Sequence, residues 1–271
     1  MGTARQRWVD GEMGLRPRLI RRLNALCRRQ AKVLLRRVGL SFDLGNFAHK
    51  YAFGCHLAEL FARLGVDCVL DVGGYTGLYR DFLRTEVGYR GLIVTFEPVP
   101  DHIEVLKRRA QRDSAWVIYG VALGPQRGEG ILHLMNQGDF TSFLEPDHSM
   151  VPEFASMNTI RADIKVPVHC LDDVYEELRS KHAISRPYLK LDTQGYDCEV
   201  INGGGKVMEK VVGLQTEVSI RRIYRGMPSF VEVYERLTAL GFSVTGMYPV
   251  SRDGQGRVVE FDCVMIRDHA G

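Results

Sequence analysis

Val69-Leu70-Asp71-Val72-Gly73-Gly74-Tyr75-Thr76-Gly77 leads four strand-compatible residues into a glycine-rich turn, and Leu78 to Thr85 follows with helix-like patterning. The next apolar run ends on an acid, Glu97, about 20 residues beyond the turn, the layout of a βαβ unit that grips the ribose of an adenosine. A plain strand-turn-helix corner is the alternative. The glycines are spaced G-x-x-x-G, from Gly73 to Gly77, and not G-x-G-x-x-G. The helix start is therefore not laid out to offer backbone N–H groups to a phosphate. Asp71 stands two residues before the first glycine, where its carboxylate is expected to repel a pyrophosphate. A ligand with an adenosine ribose and a cationic end fits better. S-adenosylmethionine (SAM) has a ribose diol for Glu97 and an ammonium and sulfonium for Asp71.

Outward from this unit, strands and helices alternate. Upstream, Phe47 to Leu64 reads as an amphipathic helix closed by Gly65. Downstream, Leu92–Phe96 is a strand, Asp101 caps a helix to about Gln111, and Ala115–Val121 is a strand. The pattern loosens over 128–169, where short strands at 130–135 and 164–169 flank a polar patch, Asn136 to Ser142. This stretch is expected to be an insertion facing the substrate. Regularity returns with a helix from Leu171 to Leu178, a strand Tyr188–Leu191, a helix from Glu199 interrupted by Gly203-Gly204-Gly205, and a strand Val212–Glu217. The alternation predicts a parallel sheet. After a helix at 229–240, the strands 242–250 and 258–266 follow one another with only a polar glycine turn between them. They must pair antiparallel.

The chain has 271 residues, 45% hydrophobic and 25% charged, which is ordinary globular composition. The expectation is one α/β domain over 41–271 behind an N-terminal extension, 1–40. No apolar run approaches the roughly 18 residues that span a bilayer, and the N-terminus lacks the apolar stretch of a secretory signal. A cytoplasmic protein is expected. The six cysteines include no C-x-x-C pair and the eight histidines no H-x-x-x-H pair in an apolar helix pattern, so no metal is expected. The net charge of +3 hides an asymmetry: residues 1–40 hold eleven Lys or Arg against Asp10 and Glu12, and the remainder is acidic by six. Leu19, Leu23, Leu26, Leu34 and Val38 recur at near-helical spacing among the arginines. Such a basic helix could pack on the main domain, hold the protein peripherally at an anionic membrane surface, or dock an acidic carrier protein; nucleic acid is the least favoured partner.

Several separated segments together resemble the FkbM family of methyltransferases over about residues 65–267. They are the loop quoted above, Phe96-Glu97-Pro98, Ala122-Leu123-Gly124, Leu189-Lys190-Leu191-Asp192-Thr193-Gln194-Gly195-Tyr196-Asp197, Leu214-Gln215-Thr216-Glu217-Val218 and Phe261-Asp262-Cys263-Val264. The family commonly carries Ala-Asn where Gly74-Tyr75 stand; residues 1–40 resemble no part of it. The resemblance implies a class I, Rossmann-like fold: a mostly parallel seven-stranded sheet with a C-terminal antiparallel hairpin and helices on both faces. It also implies SAM as methyl donor, and as acceptor a hydroxyl of a sugar or secondary metabolite. By position, Asp71, Gly73 and Gly77 would line the methionine end, Glu97 the ribose, Ala122 and Leu123 the adenine, and Ser142 would lie near the cofactor.

Methyl transfer from a sulfonium needs alignment above all, with a base for the acceptor proton worth about 10²- to 10⁴-fold. Asp192, just past a strand's carboxyl end, is the first candidate, and a loop-bracing carboxylate is its plain alternative. Glu217 occupies the equivalent rim, where it could instead orient Lys190. Lys190 itself, alone between Leu189 and Leu191, could simply pair with an acid. His169, like His133 and His148, lies in or beside the insertion and could serve as base; Asp139 could touch cofactor or acceptor. N-methylation on the same fold, a nucleotide-dependent oxidoreductase and a non-catalytic adaptor with a vestigial pocket are the alternative functions.

Overall fold

The computed structural model describes residues 44–268. The chain divides into two units, Met1–Ala52 and Phe53–Gly271. Of the first unit only the opening turns of one helix are described, so the basic helical extension expected over 1–40 lies outside the described residues.

That helix, α1 (Leu44–Leu64), is followed by β1 (Cys68–Val72), α2 (Leu78–Phe82), β2 (Leu92–Phe96), α3 (Pro100–Ala110) and β3 (Trp116–Tyr119). Next come β4 (Ala122–Leu123), β5 (Gly128–Met135), β6 (Ile160–His169), α4 (Leu171–Lys181) and β7 (Pro187–Leu191). The chain closes with α5 (Asp197–Asn202), α6 (Gly205–Met208), β8 (Gly213–Ser219), α7 (Phe230–Ala239), β9 (Phe242–Arg252) and β10 (Val258–Arg267).

Seven strands form one sheet in the order β3-β2-β1-β7-β8-β10-β9. The pairs from β3 through β8 are parallel, and β10 is antiparallel to both β8 and β9. This is the mostly parallel sheet with a terminal hairpin that the sequence predicts. Every residue of β1 and β7 is buried, as central parallel strands covered on both faces require. One face, carrying Leu70, Val72, Leu189 and Leu191, packs on Val174 and Leu178 of α4, Val200 of α5 and Leu237 of α7. The other, carrying Val69, Ile93 and Tyr188, packs on Leu57, Leu60 and Leu64 of α1, Phe82 of α2 and Leu106 of α3. Helices thus cover both faces, and the fold is that of a class I methyltransferase.

Strand order reverses between β1 and β7, the place where open parallel sheets bind ligands beyond their carboxyl ends. Beside this point a second sheet of three strands, β4-β6-β5, gathers residues 122–169. The sequence shows its two long strands, but not the two-residue β4, which pairs parallel to β6 through Ala122–Val168 and Leu123–His169. The helix interrupted at Gly203 is two helices, α5 and α6, and glycine between them lets the chain at Gly124 pack closely, since a Cβ at Gly203 would stand 2.0 Å from the Gly124 carbonyl oxygen.

Candidate active site

β1 ends at Val72, and the chain turns at Gly73 with a φ of +83°. A Cβ there would lie 2.0 Å from the Asp192 carbonyl oxygen, so the ends of β1 and β7 approach this closely only through glycine. The turn then spends its donors internally. Gly73 N and Gly74 N both donate to Phe96 O, at 3.1 and 3.2 Å, and Gly77 N donates to Gly74 O at 2.8 Å. Tyr75, at a left-handed φ of +46°, donates its N–H to Glu97 Oε2 at 2.7 Å. These N–H groups form no free nest for a diphosphate.

Glu97 stands at the end of β2 with 4% exposure. Val99 N donates to its Oε1 at 2.9 Å, and His102 Nδ1 lies 3.3 Å from the same oxygen. The carboxylate is thereby fixed from both sides, while Oε2, with the Tyr75 N–H as its one donor, keeps a lone pair for a further donor. The Tyr75 and His102 rings meet edge to face at 4.6 Å. Both border a cleft, partly open to solvent, whose walls include Gly73, Glu97, Leu123, Ser142 and Asp192.

Asp71 is not on this wall. It is fully buried, accepts from Thr95 Oγ1 at 2.9 Å and lies 3.2 Å from Lys190 Nζ. This corrects the expectation that it faces a cationic ligand. Strand alternation turns it away from Leu70 and Val72, toward the face where Lys190 stands in register on β7. Burial pushes its carboxyl above the usual range against the pull of Lys190 and Thr95. Lys190 also donates to Gly73 O at 3.0 Å and lies 3.2 Å from Asp192 Oδ2. Burial works against its charge, but Asp192 and Asp71 outweigh burial and hold the ammonium above its ordinary range.

Asp192 does reach the cleft, with 39% of its side chain exposed. Gln194 Nε2 donates to its Oδ1 at 2.9 Å and to Glu217 Oε2 at 2.8 Å. Glu217 is thus joined to the site through Gln194 without lining it, and burial, then Glu260 and Asp192, push it well above the carboxylate range. The same causes act on its neighbours on β10. Glu260 is raised to about 7 and Asp262 to about 6, in each case by burial first.

Gly73, Glu97, Ala122, Leu123, Ser142, Asp139 and Asp192 border one cleft. Ser142 is already engaged, donating to Gln194 O at 2.7 Å and accepting from Leu144 N at 3.0 Å. Gly77 is outside the wall, packed so that a Cβ would meet the Trp116 ring at 2.8 Å. His169, at the end of β6, is outside it too, and this corrects its candidacy as base. His133 and His148 are engaged with Asp163 and Asn158, each at 2.7 Å. Among the described residues no cluster of His, Cys, Asp or Glu is arranged to hold a metal. Tyr75, His102 and Gln194 escaped the sequence reading as site residues; Tyr75 and Gln194 lie inside the quoted motifs, but their contacts with Glu97, Asp192 and Glu217, invisible in sequence, show why they matter.

The sequence profile described as the Methyltransferase FkbM domain matches residues 71–244. No curated protein matches the sequence. Solved structures with a similar chain path include magnesium protoporphyrin IX methyltransferase from Synechocystis PCC 6803 with bound SAM, at 11% identity, 82% coverage of this chain, 81% of that one and a TM-score of 0.43. Another is Aeropyrum pernix fibrillarin with bound SAM, at 11% identity, coverage of 73% and 66%, and a TM-score of 0.39. A SAM-dependent methyltransferase from Aquifex aeolicus gives 12% identity, coverage of 77% and 88%, and a TM-score of 0.37. Likenesses this distant identify no chemistry. The profile match, which begins at Asp71, takes in the whole cleft and spans well over half the chain, does: the protein belongs to the FkbM family of methyltransferases, whose methyl donor is SAM.

Proposed function

We propose that the protein transfers a methyl group from SAM to a hydroxyl of a small molecule, a sugar or secondary metabolite, with Asp192 assisting removal of the hydroxyl proton. The observation that carries this reading is the placement of Glu97 and Asp192 on one cleft, at the ends of β2 and β7 with β1 between them. Two strand spacings separate those ends by about 10 Å, room for a ribose at one side and a reacting hydroxyl at the other. The residues fit the donor. Glu97 Oε2 has a lone pair free for a ribose hydroxyl, Leu123 and Phe143 give the wall an apolar stretch, and Asp192 and Asp139 supply the negative charge that Asp71 does not.

SAM supplies an activated methyl: its carbon–sulfur bond breaks as the carbon–oxygen bond forms, leaving a neutral thioether and a proton to be removed. Gly73 and Glu97 would position the donor, and the segment Gly138 to Phe143 would exclude water from the acceptor side. Asp192, held by Lys190 and Gln194, keeps lone pairs toward the cleft for the departing proton. The spent N–H groups of the β1 turn count against a dinucleotide oxidoreductase.

A host expressing the protein and fed methionine with a deuterated methyl group should accumulate a small molecule carrying that methyl, absent from a host expressing Glu97→Ala. Calorimetry should show binding of SAM and of its demethylated product but not of NAD. Binding of NAD alone, or a label found only on nitrogen, would overturn the reading.

A further inference from the structure

Gln194 holds a backbone that side-chain-bearing residues seldom adopt, with a φ of +54°, directly before Gly195. Its side chain repays that conformation with contacts to three elements. Nε2 donates to Asp192 Oδ1 at 2.9 Å and to Glu217 Oε2 at 2.8 Å, and Oε1 lies 3.0 Å from the Tyr224 hydroxyl. Its main-chain oxygen accepts from Ser142 Oγ at 2.7 Å. The Tyr224 hydroxyl, in turn, lies 2.6 Å from Phe140 O. One residue therefore ties the loop after β7 to β8 and to the 140–142 segment that borders the cleft.

An amide nitrogen has two N–H groups, and here both go to carboxylates on different elements. Acceptors of one such nitrogen stand roughly 5 Å apart. Without the amide, the two acids would face each other across that gap, and Asp192 would keep Lys190 on Oδ2 but lose its partner on Oδ1. Glutamate in this place would set a further carboxylate beside Asp192 with no N–H to donate, and asparagine is one methylene too short to reach both.

Resting on the role given to Asp192 above, we propose that Gln194 is a positioning residue for methyl transfer. It holds Asp192 at the cleft wall through an amide shared with Glu217, and it links that pose to the segment on the acceptor side through Tyr224 and Ser142.

Gln194→Gly separates positioning from folding, because glycine relieves the left-handed backbone while removing the amide. The probe is the full chain, without ligand, carrying ¹³C at the Asp and Glu carboxyl carbons; the Asp192 signal is the one lost in Asp192→Asn. Lys190 of β7, Asp71 of β1, Glu217 of β8, Glu260 and Asp262 of β10 and Asp197 of α5 remain around Asp192 in the variant. Loss of a hydrogen bond to the charged form should move the Asp192 midpoint measured in the variant above that of the parent protein. Calorimetric affinity for SAM should stay within about threefold. Transfer of a deuterated methyl from SAM to a metabolite extract should fall about ten- to a hundredfold. An unmoved midpoint overturns the proposal, as does full transfer by Gln194→Gly when Asp192→Asn is impaired. If Asp192→Asn itself transfers at the full rate, the base role falls, and the midpoint alone still decides whether Gln194 holds Asp192.

Discussion

Asp192 and Gly73 meet through an atom neither could spare: the glycine's missing Cβ leaves room for the aspartate's carbonyl oxygen. Gly73→Ala should therefore cost about 2–4 kcal/mol, because the clash is with backbone and the φ is left-handed; urea unfolding of the two proteins would measure it, and equal midpoints would refute it. Asp192→Asn should leave SAM affinity within a few-fold by calorimetry and lower methyl transfer by about 10²- to 10⁴-fold; an undiminished rate would clear Asp192 of a part in proton removal. Glu97, Ala122 and Leu123 border the cleft as their motif order suggests, because each sits in or just past a strand at the sheet's carboxyl edge, where sequence position and cleft coincide. Asp71 does not, since spacing gives distance along the chain and not the face a side chain takes. A signal did exist. Asp71 and Lys190 are each a lone charge in an otherwise apolar strand, and two opposite lone charges of this kind on neighbouring strands are best satisfied by each other.

At the scale of elements, periodicity was a good guide wherever a segment has one buried face. α7 shows this: Val233 and Leu237 are buried, and Ser229 closes its start with Glu232 in a reciprocal capping box. Ser229→Ala should lower stability by about 1 kcal/mol, read as a shift in the denaturation midpoint with SAM affinity unaltered; no shift would mean that water replaces the cap. The terminal hairpin was equally plain, since β9 and β10 have no helix between them. Residues 128–169 were harder. β6 exposes most of its first half and β4 has two residues, so neither gives a pattern long enough to announce a second sheet. The glycine between the short helices α5 and α6 packs on the chain at Gly124, a neighbour 79 positions away that local sequence cannot name.

For the whole molecule, one face of the sheet at the β8–β10 side concentrates acids: Glu217 opposes Asp262 and Ser219 opposes Glu260 in register. Glu260, raised to about 7, binds its proton more tightly folded than unfolded, as does Asp262 at about 6. Their stabilising contribution is whole below the unfolded carboxyl range and is lost as pH rises through about 6 to 7. Asp113, lowered to about 2 after its arginine partners overcome burial, works oppositely, and its contribution disappears only on strong acidification. Glu260→Gln should accordingly gain on the parent protein between pH 5 and 7.5, by on the order of 2 kcal/mol, in chemical denaturation followed across that range; a constant difference would show that Glu260 titrates normally. β4 has a consequence of another kind. Ala122 and Leu123 border the cleft and pair with β6 through their backbone, so they act as a rivet between donor grip and the β5–β6 pair. A graft that swaps β5 and β6 between relatives must carry the rivet with it: exchange of 122–169 should preserve SAM affinity, whereas exchange of 128–169 alone mates foreign parts across β4 and should weaken it.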